Sequence, residues 1–285
     1  MTKQPGSVVD GVRVLIFDLD GTLYQGEGFL PRYYDELAVH AGLPREVVER
    51  ETERILRGEH VLRLGAFYDP VTDRVLHAPS WRIERVLTWE GGRVDDPRHG
   101  GDVSLDDDLV YVGDAWQAVL ALAAHHQVSA ADRDRAFQAV RQAINDTVEA
   151  FLDTSALESV LDEVDRFDHR FVMTNTPEHL GQALVEVLGL PARFDGVRYG
   201  ANKPRGLVRW LEELAVELDV TPQEILCIGD NYFNDILPAI RAGCRTIWIH
   251  PFADIPHHGS ELRVGGLAEI APLLRGESLP ARRQR

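Results

Sequence analysis

Four consecutive apolar residues, Val14, Leu15, Ile16 and Phe17, lead without polar alternation into Asp18-Leu19-Asp20-Gly21-Thr22. An unalternating run of this length predicts a strand covered on both faces, as in parallel sheets. Comparable runs recur late in the chain, in RFVMTN (170–175), EILCIGD (224–230) and RTIWIHP (245–251), with a shorter strand-like piece in FDGVRYG (194–200). Between them lie stretches with apolar spacing of three and four: PEHLGQALVEVLGL, KPRGLVRWLEELAVELDV and NDILPAIRAG. Strands alternating with helices in this way predict an α/β domain with a doubly wound, Rossmann-like parallel sheet. The first strand must join that sheet, because nothing else near it can bury both its faces.

Residues 25–165 follow a different rhythm. PRYYDELAVHAGLPREVVERETERILRG (31–58) predicts two helices divided at Gly42-Leu43-Pro44, with Pro44 placed near a helix start. From 59 to 108 strand-like pieces alternate with turn signals such as Tyr68-Asp69-Pro70 and Gly91-Gly92. Helical spacing returns from Trp116. The expected organisation is a core formed by 8–24 and 166–275, an inserted and mainly helical module at 25–165 with some strand or loop structure, and flexible tails at 1–7 and 276–285.

Charge narrows the choice of partner. The formal net charge of −16 over 285 residues argues against a nucleic-acid backbone as ligand. There is no stretch of some 18 apolar residues, and the opening MTKQPGSVVDGVRV lacks a secretory apolar region, so no membrane contact and a cytoplasmic location are expected. Cys227 and Cys244 do not make a disulfide framework; Cys227, inside an apolar run, reads as a small core residue. Arginine outnumbers lysine 28 to 2, and the single lysine beyond the N-terminal tail is Lys203. Its position suggests that a compact ammonium is wanted there.

Polar groups collect where the predicted strands end. Asp18 and Asp20 project to one side of an extended segment, since side chains alternate with period two. Two neighbouring carboxylates repel unless a proton or cation intervenes. Gly21-Thr22 suits a tight turn whose amides could cradle an anion. Thr174 and Asn175 offer a hydroxyl and an amide, either to a phosphate oxygen or as caps for the helix beginning near Pro177. Asp230 and Asp235, in GDNYFND, add hard oxygen donors suited to Mg²⁺. Asp235 also fits the ordinary role of a helix N-terminal carboxylate. Parallel strands bring all these tips to one edge, together with Lys203.

The order DLDGT, TN after a strand, KP and GDNYFND resembles the haloacid dehalogenase superfamily, in its phosphatase-like branch, across most of residues 12–250 apart from the insertion. The resemblance implies that Asp18 is a nucleophile taking up a phosphoryl group as an aspartyl-phosphate, and that Asp20 is the general acid and base. It implies that Gly21, Thr22, Thr174, Asn175 and Lys203 hold the phosphoryl group. Mg²⁺ would be held by Asp18, the Asp20 carbonyl, Asp230 and Asp235. The implied activity is hydrolysis of a small phosphorylated metabolite, with the insertion as a substrate-selecting cap. A free aspartate has a pKa near ~3.9, so Asp18 is expected to be ionised without activation. A phosphomutase with the same core and a non-catalytic phosphometabolite binder are the alternatives. A dehalogenase is disfavoured by the second aspartate, Asp20.

Other polar clusters carry less. Arg32, Arg57, His60 and Arg63 are candidate substrate contacts in the insertion, though each reads more readily as a surface cation, since long basic side chains are mostly exposed. His125-His126 lacks the i, i+4 spacing of a zinc pair, the carboxylates from Asp95 to Asp108 match no EF-hand loop, and HPFADIPHH (250–258) reads as a polar loop.

Overall fold

The computed structural model describes residues 7–250 and 262–278. The expected tails fall largely outside these residues, as does HPFADIPHH (250–258) beyond His250. The chain divides into two compact units.

The first unit opens with β1 (Val14–Phe17), whose four side chains are all buried. Each contributes roughly 1.5–3 kcal/mol by leaving water. The chain then enters the second unit, Gly26–Leu152. This contains α1 (Leu30–Ala41), α2 (Arg45–Leu56), β2 (Phe67–Asp69), β3 (Arg74–His77), β4 (Arg85–Leu87), β5 (Val110–Tyr111), α3 (Ala115–His125), α4 (Ala130–Asp146) and α5 (Val148–Phe151). Its strands form an antiparallel sheet in the order β4-β3-β2-β5. Gly42 ends α1 with φ of 66°, a left-handed conformation natural to glycine. The strand-like character of 59–108 is therefore a small sheet of its own, with loops tied by carboxylates: Arg98 binds Asp96 through two hydrogen bonds and reaches Asp69 at 2.7 Å.

The first unit resumes with α6 (Leu157–Val164), β6 (His169–Met173), α7 (Glu178–Val187), β7 (Gly196–Arg198), α8 (Arg205–Glu217), β8 (Ile225–Gly229), α9 (Leu237–Arg241), β9 (Arg245–Ile249), β10 (Leu262–Val264) and α10 (Ile270–Leu274). Six parallel strands lie in the order β10-β9-β8-β1-β6-β7. β1 sits between β8 and β6, as its two-sided apolar character requires. α6 belongs to this unit, where its buried stripe of Leu157, Val160, Leu161 and Val164 packs with α10, although the sequence expectation grouped it with the insertion.

Candidate active site

Three neighbouring strands deliver the polar residues. Asp18 follows β1 directly, and its amide still donates to Ile228 of β8 at 2.9 Å. Thr174 follows β6 and is tied in the same way to Arg198 of β7 at 2.9 Å. Asp230 follows β8, beyond which the chain makes a wide π-helical turn over Tyr232–Ile236 that carries Asp235. Such turns insert an extra residue and often occur at functional sites.

Lys203 is the hub. Its ammonium lies 2.5 Å from Asp18 Oδ1 and 2.6 Å from Asp235 Oδ1, and it donates to the Met173 carbonyl at 3.0 Å. All three donor protons are thereby used. The lysine is fixed from behind by Asn175, whose Oδ1 accepts from the Lys203 amide at 2.7 Å and whose Nδ2 donates to the Lys203 carbonyl at 3.3 Å. The Asn175 side chain is thus engaged with the lysine's own backbone.

Asp18, Asp230 and Asp235 each offer a carboxylate oxygen, all within 4.8 Å of one another. Two glycines make room for them. A Cβ on Gly229 would lie 2.5 Å from the Asp235 Cβ, and one on Gly21 would lie 2.2 Å from Asp230 Oδ2. Gly21 also has a φ of 80°, which side-chain-bearing residues rarely adopt. Asp235 accepts a further hydrogen bond from the Asn231 amide at 3.1 Å.

Burial pushes the Asp18 carboxyl up to about 7, with Lys203 pulling the other way. Asp235 is raised as well, again chiefly by burial. Burial and the ammonium thus act on Asp18 in opposite directions, which ties its charge to the cation beside it. Asp18 and Asp235 share the Lys203 ammonium, and Asp230 brings a third carboxylate to the same cluster. Three carboxylate oxygens within 4.8 Å of one another are a hard donor set that fits a small divalent cation.

Asp20 faces a different set of partners. Its Oδ2 accepts from Thr174 Oγ1 at 2.9 Å and from Thr176 Oγ1 at 3.0 Å, and its Oδ1 accepts from the Tyr24 hydroxyl. Thr22 Oγ1 donates to Asp18 Oδ2 at 3.2 Å. Tyr24 and Thr176 were not singled out in the sequence. Thr176 carried a signal, standing two places beyond Thr174 and so on the same side of an extended segment. Tyr24 meets Asp20 because residues 19–23 form a helical turn, with the Leu23 amide donating to the Leu19 carbonyl at 3.1 Å.

Several of the other polar candidates have partners within the second unit. Arg32 pairs with Glu36, Arg57 with Glu53, His125 with Asp73 and His126 with Glu51. His60 Nδ1 accepts from the Leu62 amide at 3.0 Å.

The fold and the acidic tips of its parallel sheet define a class, and the sequence matches the haloacid dehalogenase-like hydrolase family over residues 12–243. The chain belongs to that family. A phosphoglycolate phosphatase of Chromobacterium violaceum is 33% identical over 107 residues, a match covering 36% of this chain and 48% of that protein. The chain thus spans about half the length of this curated relative. Among solved structures, a phosphatase of the same family from Thermococcus onnurineus aligns with a TM-score of 0.51 at 18% identity, covering 94% of this chain and all of that one. The L-2-haloacid dehalogenase of Xanthobacter autotrophicus aligns equally well, at 17% identity and a TM-score of 0.51, over 94% of this chain and 100% of its own. These likenesses establish the fold. No helix among the described residues is long and apolar enough to cross a membrane.

Proposed function

We propose that the protein is a Mg²⁺-dependent phosphomonoester hydrolase acting on a small phosphorylated metabolite through an aspartyl-phosphate on Asp18. The observation that carries this reading is the buried Lys203 ammonium shared between Asp18 and Asp235. A cation held against a carboxylate at a strand tip offsets the repulsion between an anionic nucleophile and an anionic phosphate. The phosphatase relative from Chromobacterium violaceum supports the same choice.

In this reading an Asp18 oxygen attacks phosphorus while the bond from phosphorus to the leaving oxygen breaks. Asp20 gives its proton to that oxygen. Water then attacks the phosphorus of the aspartyl-phosphate and loses a proton to Asp20, and the bond between phosphorus and the Asp18 oxygen breaks. Inorganic phosphate leaves and both aspartates are restored. Lys203 stabilises the charge on the transferring group. Thr174, with the turn at Gly21 and Thr22, holds its oxygens, while Asn175 acts through Lys203 by fixing its backbone. Tyr24 and Thr176 orient the Asp20 carboxylate. Asp18, Asp230, Asp235 and the Asp20 carbonyl would hold Mg²⁺, which when bound supplies Lewis-acid stabilisation of phosphoryl oxygens.

The presence of Asp20, with three hydroxyls donating to it, favours phosphoryl chemistry over dehalogenation. The unit Gly26–Leu152 serves as the substrate-selecting cap. A cytoplasmic setting belongs to the reading and accords with the free, buried thiols of Cys227 and Cys244.

The test is phosphate release from a panel of phosphorylated metabolites, beginning with small phosphorylated carboxylic acids such as phosphoglycolate, with and without Mg²⁺. Wild type is expected to turn over at least one of them with metal only, and Asp18→Asn none. Equal turnover by Asp18→Asn would contradict the assignment.

A further inference from the structure

Trp248 stands on β9 opposite Gly229, the last residue of β8. Its indole reaches over the end of that strand, and Nε1–H donates to the Asp230 carbonyl at 2.8 Å. The side chain is 1% exposed and held on several sides. Tyr232 meets the ring edge-on, at 4.8 Å between centroids and 83° between planes. The His250 imidazole stacks on it at 4.4 Å and 12°, and the Arg263 guanidinium lies 5.3 Å from its centroid.

A buried indole N–H needs an acceptor, and the choice of acceptor here is informative. Asp230 lies where β8 ends and the wide turn begins. Anchoring that peptide unit constrains the direction of the Asp230 Cα–Cβ bond, and with it the carboxylate that stands among Asp18 and Asp235. The same stretch supplies the amide of Asn231, which donates to Asp235. One indole hydrogen bond therefore steadies the segment that carries two of the three carboxylates.

We propose that Trp248 is a positioning residue for Asp230 and sets the divalent-cation affinity of the acidic triad. The proposal rests on the metal-dependent reading above. It requires no contact between Trp248 and substrate, and it assigns the indole nitrogen a role that ring packing alone would not provide. Outer contacts that orient metal ligands are typically worth about 10–100-fold in affinity.

Isothermal titration of Mg²⁺ into the full-length protein tests this on wild type, Trp248→Phe and Trp210→Phe, with thermal unfolding of each protein measured without metal. Trp210 is the control: it is also a buried aromatic of this unit, packed with Phe171 at 5.4 Å between centroids. Trp248→Phe is expected to raise the Mg²⁺ Kd roughly 10-fold, whereas Trp210→Phe loses stability and keeps the wild-type Kd. Equal Kd values for Trp248→Phe and wild type overturn the inference and leave the metal reading standing. An absence of Mg²⁺ binding by wild type overturns both. Should Trp248→Phe not fold, site-specific replacement of Trp248 by benzothienylalanine keeps the bicyclic ring and removes only the N–H. Weakened Mg²⁺ binding is again the expected result, and wild-type binding the contrary one.

Discussion

Lys203 and Asp18 form a buried ion pair, 2.5 Å from nitrogen to oxygen, with side chains 4% and 8% exposed. Removing the ammonium while keeping the stem, as in Lys203→Met, leaves Asp18 and Asp235 without their shared cation. Breaking a buried pair in this way costs about 3–5 kcal/mol. Urea unfolding is expected to show that loss, with part of it recovered on adding Mg²⁺, since a ligand of the folded state stabilises it. Unchanged stability without metal would show that the ammonium does not hold the two carboxylates in the folded state.

Thr176 touches Asp20 at 3.0 Å, and its side chain is 6% exposed. A hydrogen bond to a charged group contributes about 1.5–3 kcal/mol. If that hydroxyl orients the acid, Thr176→Val lowers kcat by roughly 10-fold or more and leaves KM near the wild-type value, the pattern of an interaction felt in the transition state. Steady-state kinetics decide the point: a raised KM at normal kcat would assign Thr176 to substrate binding.

Gly229 is required by space. Its Cβ would stand 2.5 Å from the Asp235 Cβ and 2.6 Å from Oδ2. Gly229→Ala should displace Asp235 from Lys203, at about 1–3 kcal/mol of stability as for other overpacked sites, and weaken Mg²⁺ binding. Calorimetric unfolding and Mg²⁺ titration check the two halves, and a variant with wild-type values in both would show that the strand tip yields without moving the carboxylate.

The tips of the parallel strands were legible because unalternating apolar runs end abruptly in Asp18, Thr174 and Asp230, and parallel pairing brings such ends together. Lys203 stood out because the chain otherwise writes arginine. The hydroxyls around Asp20 were harder to read, since the role of Tyr24 depends on a helical turn that five residues do not announce. Trp248 in RTIWI looks like any core aromatic; only its hydrogen bond to Asp230 distinguishes it. The antiparallel sheet of the second unit consists of strands of two to four residues, too short to display a period. Nor does the apolar stripe of α6 say which unit it covers, and the expected boundary at 165 extended past Leu152 for that reason.

Arg98 ties together loops of the second unit, and its fork on Asp96 holds that carboxyl down at about 2, from an ordinary 3.8. A depressed carboxyl stabilises the fold above its unfolded pKa and loses that contribution as pH falls through its folded one. The stability difference between wild type and Arg98→Ala is therefore expected to be constant near neutrality and to shrink as the pH falls from 3.8 towards about 2. Urea midpoints across that range provide the measurement. A difference that grows on acidification would reverse the sign and reject the role given to this pair.

In the proposed reaction Asp18 receives the phosphoryl group. Asp20→Asn should slow breakdown of the intermediate, because the group that takes the proton from water is lost. Rapid acid quench of this variant during turnover, borohydride reduction of the acyl-phosphate and peptide mapping would reveal the acceptor. Conversion of Asp18 to homoserine is the predicted result. Reduction at another carboxylate, or an unmodified Asp18 in a variant that still releases phosphate, would contradict it.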